Sequence, residues 1–292
     1  MKPGWLKVKI PTQNGIKNYS ALSQTITKTK LNTVCTEARC PNMFECWSNK
    51  TASFMVLGNI CTRGCRFCSV KTSKNGAPLD ENEPKNLAKA VKEFNLGYVV
   101  ITSVDRDDLA DFGAGHFSKC VKEIKKQNPK IIIELLIPDF NGNKNCLDAI
   151  IKSNPNVIGH NIETVKRLQE KIRDRKANYS QSLNVLKYIK KNSPKTFTKS
   201  SLMLGLGETE KEILGVMDDL RKIKVDFLAL GQYLQPTKKQ LEVKEFVSPE
   251  KFEFYRQKAL EKGFLFCASG PFVRTSYNAN EFFIKKILAE KV

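Results

Sequence analysis

Hydrophobic and polar residues follow two alternating patterns from residue 53 to about residue 268. Short apolar runs predict buried strands, and the longer segments between them carry apolar residues at every third or fourth position, which predicts amphipathic helices. Strands are predicted at residues 54–57, 98–102, 131–137, 157–161, 196–204, 227–230 and 264–268. Helices are predicted at residues 83–96, 115–127, 145–153, 164–172, 182–191, 208–223, 249–262 and 280–290. This alternation favours a parallel sheet with right-handed crossovers.

Six strand–helix units fall within residues 51–235, fewer than the eight that close a TIM barrel. We therefore expect an α/β protein built as a partial (β/α)6 barrel of the TIM type. Residues 1–50 form an N-terminal extension in this interpretation, polar and irregular to about residue 30, and residues 236–292 form a short C-terminal helical extension. In such barrels the site lies where the carboxyl ends of the strands meet the loops.

The composition is that of a folded chain and not of a disordered one, and no apolar run is long enough to predict a membrane-spanning helix. The 292 residues are 41% hydrophobic and 27% charged, and Glu134 interrupts the longest apolar run, residues 131–137. Residues 1–11 lack the apolar core of a secretory signal and the Arg- and Ser-rich pattern of an organelle transit peptide. We therefore expect a cytoplasmic monomer that does not bind membranes.

The net charge of +19 predicts acidic partners, because a basic surface attracts them and speeds their encounter. A nucleic acid, an acidic carrier domain and an acidic electron-transfer protein all fit this charge. A Lys- and Asn-rich chain can equally result from genome base composition, so the charge alone does not select among these partners.

Three thiols fall within eight residues, as Cys61, Cys65 and Cys68 in the spacing C-x3-C-x2-C, after a predicted strand. Thiolates are ligands for iron or zinc. A structural zinc site needs a fourth ligand nearby, and neither histidine of the chain, His116 or His160, is close in sequence. Three cysteines instead suit a four-iron cubane in which one iron is open to a small molecule.

A second set of three thiols precedes the first, as Cys35, Cys40 and Cys46 in the spacing C-x4-C-x5-C. This set also lacks a local fourth ligand, so a second iron–sulfur cluster fits better than zinc. The remaining cysteines, Cys120, Cys146 and Cys267, stand alone in apolar patterns and are expected to be core residues.

General acid–base chemistry is a poor interpretation of this chain, because it has two distant histidines and neither a G-x-S-x-G elbow nor a phosphate-binding G-x4-G-K-[ST] loop. The C-x3-C-x2-C loop, with an aromatic residue before its last Cys, resembles the signature of the radical SAM enzymes. Together with the upstream C-x4-C-x5-C set, it resembles more narrowly the lipoyl synthase family. Biotin synthase lacks the upstream set, and the tRNA methylthiotransferases space their upstream cysteines more widely.

The resemblance implies roles for individual residues. The cluster on Cys61, Cys65 and Cys68 would bind S-adenosylmethionine (SAM) and cleave it to a deoxyadenosyl radical. Asn161 and Glu163 would bind the ribose or the amino-acid end of SAM, and the backbone at Gly205 and Gly207 would approach the adenine. Arg173 and Arg175 could face substrate or cofactor, but an ordinary solvated helix end is the favoured interpretation of both.

The resemblance also assigns the C-terminal motif Arg274-Thr275-Ser276-Tyr277, which is R-S-S-Y in the family. Ser276 would ligate the fourth iron of the second cluster, alongside Cys35, Cys40 and Cys46. An oxygen ligand holds thiolate-bound iron weakly, which suits a cluster that is dismantled. Thr275 is a departure from the family pattern, and others are Phe112 and residues 238–242, where the family has Gly and His-Leu-Pro respectively.

The implied reaction is insertion of sulfur at C6 and C8 of an octanoyl group on a carrier lysine, with the second 4Fe-4S cluster as sulfur donor. Implied partners are the lipoyl domains of 2-oxoacid dehydrogenase E2 subunits, the glycine cleavage H protein, and a ferredoxin or flavodoxin as electron donor, with no nucleic acid. Three alternatives remain at this point: another radical SAM sulfur inserter, a zinc-ribbon protein that binds nucleic acid, and an inactive barrel scaffold.

Overall fold

A computed structural model describes residues 3–7, 13–48 and 52–275 of the chain. The predicted helix at residues 280–290 and the candidate ligand Ser276 lie outside the described residues. The chain divides into two compact units, which are described separately. The N-terminal unit comprises Val8–Gly64 and Cys68–Ile158, and the C-terminal unit comprises Met1–Lys7, Cys65–Phe67 and Gly159–Val292.

The strands of the N-terminal unit are β1 (Asn32–Thr33), β2 (Ser53–Val56), β3 (Ile60–Cys61), β4 (Lys71–Thr72), β5 (Tyr98–Ser103), β6 (Ile132–Leu136) and β7 (Val157–Gly159), whose last residue begins the other unit. The main sheet runs β1-β2-β5-β6-β7. Strand β1 pairs antiparallel with β2, whereas β2 with β5 and β5 with β6 are parallel. Strands β3 and β4 form a separate parallel pair.

The helices of the same unit are α1 (Gln13–Lys28), α2 (Val34–Glu37), α3 (Met43–Ser48), α4 (Glu83–Glu93), α5 (Ala114–Gln127) and α6 (Lys144–Lys152), with a 3-10 turn at Phe140–Gly142. Helix α1 corrects the expectation that the first 30 residues are irregular. Leu22 and Ile26 lie one turn apart on α1 and are buried. Two buried apolar residues at helical spacing bury one face of an otherwise polar helix.

The C-terminal unit repeats the strand–helix alternation. Its strands β8 (Phe197–Leu204), β9 (Phe227–Gln232) and β10 (Phe266–Gly270) are parallel and adjacent in that order. Its helices are α7 (Gln169–Ile172), α8 (Tyr179–Asn192), α9 (Glu210–Lys222) and α10 (Pro249–Glu261), and a 3-10 turn lies at Lys166–Leu168. The segment predicted as one helix over 164–172 is therefore two short helical turns.

The predicted α/β architecture with parallel pairing is confirmed. Strands β5, β8 and β9 are almost wholly buried, as expected for strands of a parallel sheet covered by helices. The division at residues 50 and 235 stays a prediction. Within the described residues, no helix is long and apolar enough to cross a membrane.

Candidate functional site

The loop that carries Cys61, Cys65 and Cys68, called here the downstream loop, begins in the N-terminal unit at the end of β3. Cys61 is fixed by its backbone, which pairs with Thr72 and accepts a hydrogen bond from the Ser73 N–H at 3.0 Å. Burial raises the pKa of the Cys61 thiol to about 12, and the Asp105 carboxylate adds to the rise. Cys68 also contributes to this rise, so Cys61 and Cys68 lie near each other.

The residues that follow Cys61 bind the loop after β5. Thr62 donates its backbone N–H and its hydroxyl to the Asp105 carbonyl, each at 3.0 Å, and accepts the Asp107 N–H at 2.9 Å. The buried Arg63 guanidinium binds two carboxylates in bidentate fashion, Asp107 at 2.9 and 3.0 Å and Asp139 at 2.8 and 2.9 Å. Burial lowers the Arg63 pKa, but these hydrogen bonds outweigh burial and raise it above its ordinary value.

Cys65 belongs to the C-terminal unit together with Arg66 and Phe67. Its sulfur accepts the backbone N–H of Asp174 at 3.3 Å. Arg66 donates its N–H to the Ile172 carbonyl at 2.9 Å and accepts the Leu241 N–H at 3.2 Å. The segment 238–242, which departs from the family pattern, is therefore bonded to the middle of the downstream loop.

The upstream thiols Cys35, Cys40 and Cys46 lie on and between α2 and α3. Thr33 caps α2 by accepting the Thr36 N–H at 3.2 Å, and the Cys40 N–H donates to the Cys35 carbonyl at 3.0 Å. Burial raises the pKa of the Cys46 thiol, and Cys35 and Cys40 raise it further. Burial and Cys40 likewise raise the Cys35 pKa, against a smaller opposing effect of the Ser53 backbone. The structure thus brings the three upstream thiols together.

Two buried polar atoms on α3, the helix that carries Cys46, lack hydrogen-bond partners, namely Trp47 Nε1 and Ser48 Oγ. Trp47 lies close enough to Cys35 to lower the pKa of that thiol slightly, although burial dominates and raises it. A buried donor without an acceptor destabilises the fold. An electron-rich group held by these cysteines would supply an acceptor for the Trp47 N–H. Within the N-terminal unit, the segment after Cys68 is bonded to the segment after Cys35, because the Ser69 hydroxyl donates to the Glu37 carbonyl at 2.8 Å.

All nine cysteines are free thiols. Among residues 3–7, 13–48 and 52–275, no three His, Cys, Asp or Glu side chains converge as one metal ion requires. Tetrahedral zinc draws its sulfurs to about 2.3 Å from one centre, whereas each cysteine of a four-iron cluster binds a different iron. The donor set of soft thiols beside unpartnered donors fits an iron–sulfur cluster.

Asn161 and Glu163 follow β7 in the C-terminal unit. The Asn161 amide donates to Glu163 Oε1 at 3.1 Å and to the Thr275 hydroxyl at 3.0 Å, while its Oδ1 is buried without a partner. Glu163 adopts the left-handed region at φ 67°, which is uncommon for a residue other than glycine. Thr275 therefore keeps the hydroxyl that the family motif supplies at this position, and that hydroxyl accepts from Asn161.

Gly205 and Gly207 occupy the turn between β8 and α9, with φ of 96° and 104°. A Cβ on Gly205 would lie 2.3 Å from both Gln232 Nε2 and the Glu245 carbonyl, whereas one on Gly207 would meet nothing closer than Lys244 Cγ at 4.0 Å. Glu208 closes the turn by accepting the N–H groups of Gly205 and Leu206. The space that a side chain would occupy at Gly205 is thus filled by protein, whereas the corresponding space at Gly207 is open. Sequence reasoning missed Glu208.

The two arginines after α7 differ. Arg175 is exposed, as expected of a solvated helix end. Arg173 is buried, donates to Ser182 Oγ at 2.8 Å and to Gln169 Oε1 at 3.3 Å, and has an unpartnered Nε. His160 is also buried, with Nε2 at 3.0 Å from Ser182 Oγ, which is the environment of a core histidine. Cys120, Cys146 and Cys267 are buried as predicted.

Comparisons with known proteins decide the family. A model of the radical SAM superfamily matches residues 55–220, and a model of the N-terminal domain of lipoyl synthase matches residues 1–40. "Lipoyl synthase, mitochondrial" of Schizosaccharomyces pombe is 49% identical over 99% of this chain and 79% of its own length. The human protein of that name is 50% identical over 99% and 78%. The chain belongs to the lipoyl synthase family. Members are radical SAM enzymes that insert sulfur, so a 4Fe-4S cluster and SAM are implied.

Solved structures agree with a radical SAM fold. Methylornithine synthase matches with a TM-score of 0.57 at 14% identity, covering 86% of this chain and 77% of that one. The FeFe-hydrogenase maturase of Carboxydothermus hydrogenoformans matches with a TM-score of 0.61 at 15% identity, covering 86% and 64%. At these identities the likeness concerns the fold alone.

The expected cytoplasmic location is wrong. Lipoyl synthase relatives from Schizosaccharomyces pombe and Homo sapiens are named mitochondrial. A relative from Plasmodium falciparum, 51% identical over 99% of this chain and 69% of its own length, is named an apicoplast protein. These names point to an organelle. The prediction failed because it relied only on the composition of residues 1–11.

Proposed function

We propose that this lipoyl synthase family member converts a protein-bound octanoyl-lysine into a lipoyl group, using two 4Fe-4S clusters with different roles. Cys61, Cys65 and Cys68 would hold the cluster that binds SAM. Cys35, Cys40, Cys46 and Ser276 would hold the second cluster. When bound, these groups would supply the radical that activates unreactive C6 and C8 and the two sulfur atoms that are added there.

The observation that carries the second cluster is the proximity of the three upstream thiols to one another, with the unpartnered Nε1 of Trp47 on a side chain that lies near Cys35. Thiols with raised pKa values are protonated near neutral pH when free, so loading iron must release their protons. Once deprotonated, sulfur becomes an acceptor for the buried donors. Ser276, a hydroxyl ligand, would bind its iron more weakly than a thiolate does.

SAM would be held in the C-terminal unit. Asn161 offers a buried, unpartnered Oδ1 that can accept from a ribose hydroxyl or an ammonium group, and Glu163 is fixed beside it by the 3.1 Å hydrogen bond. The open space at Gly207 supports its role near the adenine better than the filled space at Gly205 does. Arg175, which is exposed, would act at the rim if it contacts substrate at all.

The substrate would reach this site on a carrier. Octanoylated lipoyl domains of 2-oxoacid dehydrogenase E2 subunits and the glycine cleavage H protein are the carriers we propose, with a ferredoxin or flavodoxin as electron donor. Exposed cations near the middle of the downstream loop, Arg66, Lys171, Lys238 and Lys239, support docking of acidic partners.

The test is a single-turnover assay under anaerobic conditions. The full-length chain is loaded with iron and a heavy isotope of sulfide, and then mixed with an octanoyl-lysyl peptide, SAM and a strong reductant. We expect about eight irons per chain for two cubanes, release of deoxyadenosine, and a lipoyl-lysyl peptide in which both added sulfur atoms are heavy.

Product that contains only light sulfur would overturn the second cluster as donor. About four irons per chain, with product still formed, would remove the second cluster altogether. Deoxyadenosine without any lipoyl peptide, even after the peptide is exchanged for an octanoylated carrier domain, would contradict the proposed substrate.

A further inference from the structure

Arg63 is a buried cation of the downstream loop. Its side chain is 3% exposed and faces three carboxylates, with Asp107 and Asp139 bidentate and Asp105 Oδ1 at 3.4 Å. These partners come from the loops that follow β5 and β6. The arrangement gathers three negative charges around one positive charge.

Asp105 is the carboxylate of this group that faces the cluster ligand. Its Oδ2 lies 3.8 Å from Cys61 Sγ. Its backbone is locked by two hydrogen bonds from Thr62, and its side chain is held by Arg63. The neighbouring Arg106 does not neutralise it, because Arg106 is engaged with Asp108 at 2.8 and 2.9 Å. A fixed carboxylate therefore stands beside Cys61.

We propose that Arg63 and Asp105 form a positioning pair that keeps the reduction potential of the cluster on Cys61 low. An added electron makes a cluster more negative, so a fixed carboxylate next to one of its ligands disfavours reduction; nearby charge and hydrogen bonding set such potentials. The Arg63 N–H, at 3.4 Å from Cys61 Sγ, acts in the opposite direction. A full charge outweighs that dipole at similar distance.

This inference goes beyond the sulfur donor proposed above and does not depend on it. It concerns the cluster that every radical SAM enzyme carries, and its readout is a midpoint potential. It would stand if the upstream cysteines held no cluster, and it could fail while lipoyl formation proceeded normally.

The experiment compares Asp105→Asn with Asp108→Asn in the full chain, both loaded with iron and sulfide. Both substitutions remove one negative charge from the same loop, but only Asp105 faces Cys61. The midpoint potential is followed by electron paramagnetic resonance, using the signal that changes when SAM is added. We expect Asp105→Asn to shift the potential to a less negative value and to leave the iron content unchanged, whereas Asp108→Asn shifts it much less.

An unchanged potential in Asp105→Asn, or an equal shift in Asp108→Asn, would overturn the proposal. If Asp105→Asn does not retain iron, Asp105→Glu decides, because it keeps the charge and lengthens the side chain by one methylene. Restored iron with the potential of the unaltered protein supports the pair. If Asp105→Glu regains its iron but its midpoint potential is less negative than that of the unaltered protein, the proposal is refuted.

Discussion

The two thiol sets of this chain are held by different forces. The downstream loop is anchored by charge and backbone bonding: Arg63 reaches Asp139, which is 76 residues away, and Cys61 lies in a strand pair. The upstream set sits on two short helices stabilised by aromatic packing, with the Tyr19 ring 4.7 Å from that of Phe44 and 5.2 Å from that of Trp47. The downstream set depends on ion pairs with loops that follow other strands, whereas the upstream set depends on packing between helices and on contacts with β1 and β2.

This difference matches the two roles we propose. A buried network of charge-assisted hydrogen bonds fixes geometry, which a ligand set needs if its cluster must survive each turnover. A set on short helices, beside donors without partners, can tolerate loss and rebuilding of the group it holds.

Removing a downstream thiol should have the largest effect. In Cys65→Ala we expect deoxyadenosine release to fall to background and iron to drop from about eight to about four per chain, since a cubane left with two cysteine ligands is not retained. Iron analysis and chromatography of the SAM products check this. Cys120→Ala, which changes a buried cysteine outside both sets, should keep its iron. Normal deoxyadenosine output from Cys65→Ala would refute the assigned role.

Removing an upstream thiol should separate the two activities. We expect Cys40→Ala to lose about four irons and all lipoyl formation while it still cleaves SAM, because the downstream loop has its own anchors. Mass spectrometry of an octanoyl-lysyl peptide, together with deoxyadenosine release, measures both. Undiminished lipoyl formation in Cys40→Ala would refute a separate role for the upstream thiols. Loss of SAM cleavage would mean that the two thiol sets are not independent.

The sequence predicted the fold from periodicity and both thiol sets from spacing. It did not predict what holds them. Arg63 looks like an ordinary basic residue within a motif, because its partners Asp107 and Asp139 follow two other strands and only the sheet brings them to it. Helix α1 was missed because a polar chain with two buried apolar residues carries a weak periodic signal.

Site contacts were equally beyond reach from sequence. The family resemblance implied that the backbone at Gly205 and Gly207 meets a ligand, yet Gly205 is a glycine because Gln232 and Glu245 occupy its side-chain space. The hydroxyl of Thr275 accepts from Asn161, which is 114 residues away. Such contacts join residues that are far apart in the sequence, and no local sequence pattern predicts them.

The segment that leads into the downstream loop is held by Glu83, and a change in the free energy of unfolding can test this contact. Buried Glu83 accepts the Leu57 N–H at 2.9 Å and contacts His116 Nε2 at 2.7 Å. Glu83→Ala leaves both groups without that partner, so we expect the free energy of unfolding to fall by about 1–3 kcal/mol. Chemical denaturation of the loaded protein measures it, with Glu81→Ala, at an exposed position, as control. Equal stability of the two variants would show that this carboxylate does not anchor the loop.

The smallest effect is expected where aromatic packing supports the upstream set. Tyr19→Leu removes the ring that contacts both Phe44 and Trp47, and such ring pairs contribute about 0.5–1.5 kcal/mol each beyond buried area. We expect a loss of about that size in unfolding free energy, and faster loss of iron from the upstream set than from the downstream loop, followed by spectroscopy during chelation. Tyr19→Phe keeps the ring and should behave as the unaltered protein. Equal iron loss from both sets in Tyr19→Leu would mean that the rings stabilise the unit as a whole and not the upstream thiols in particular.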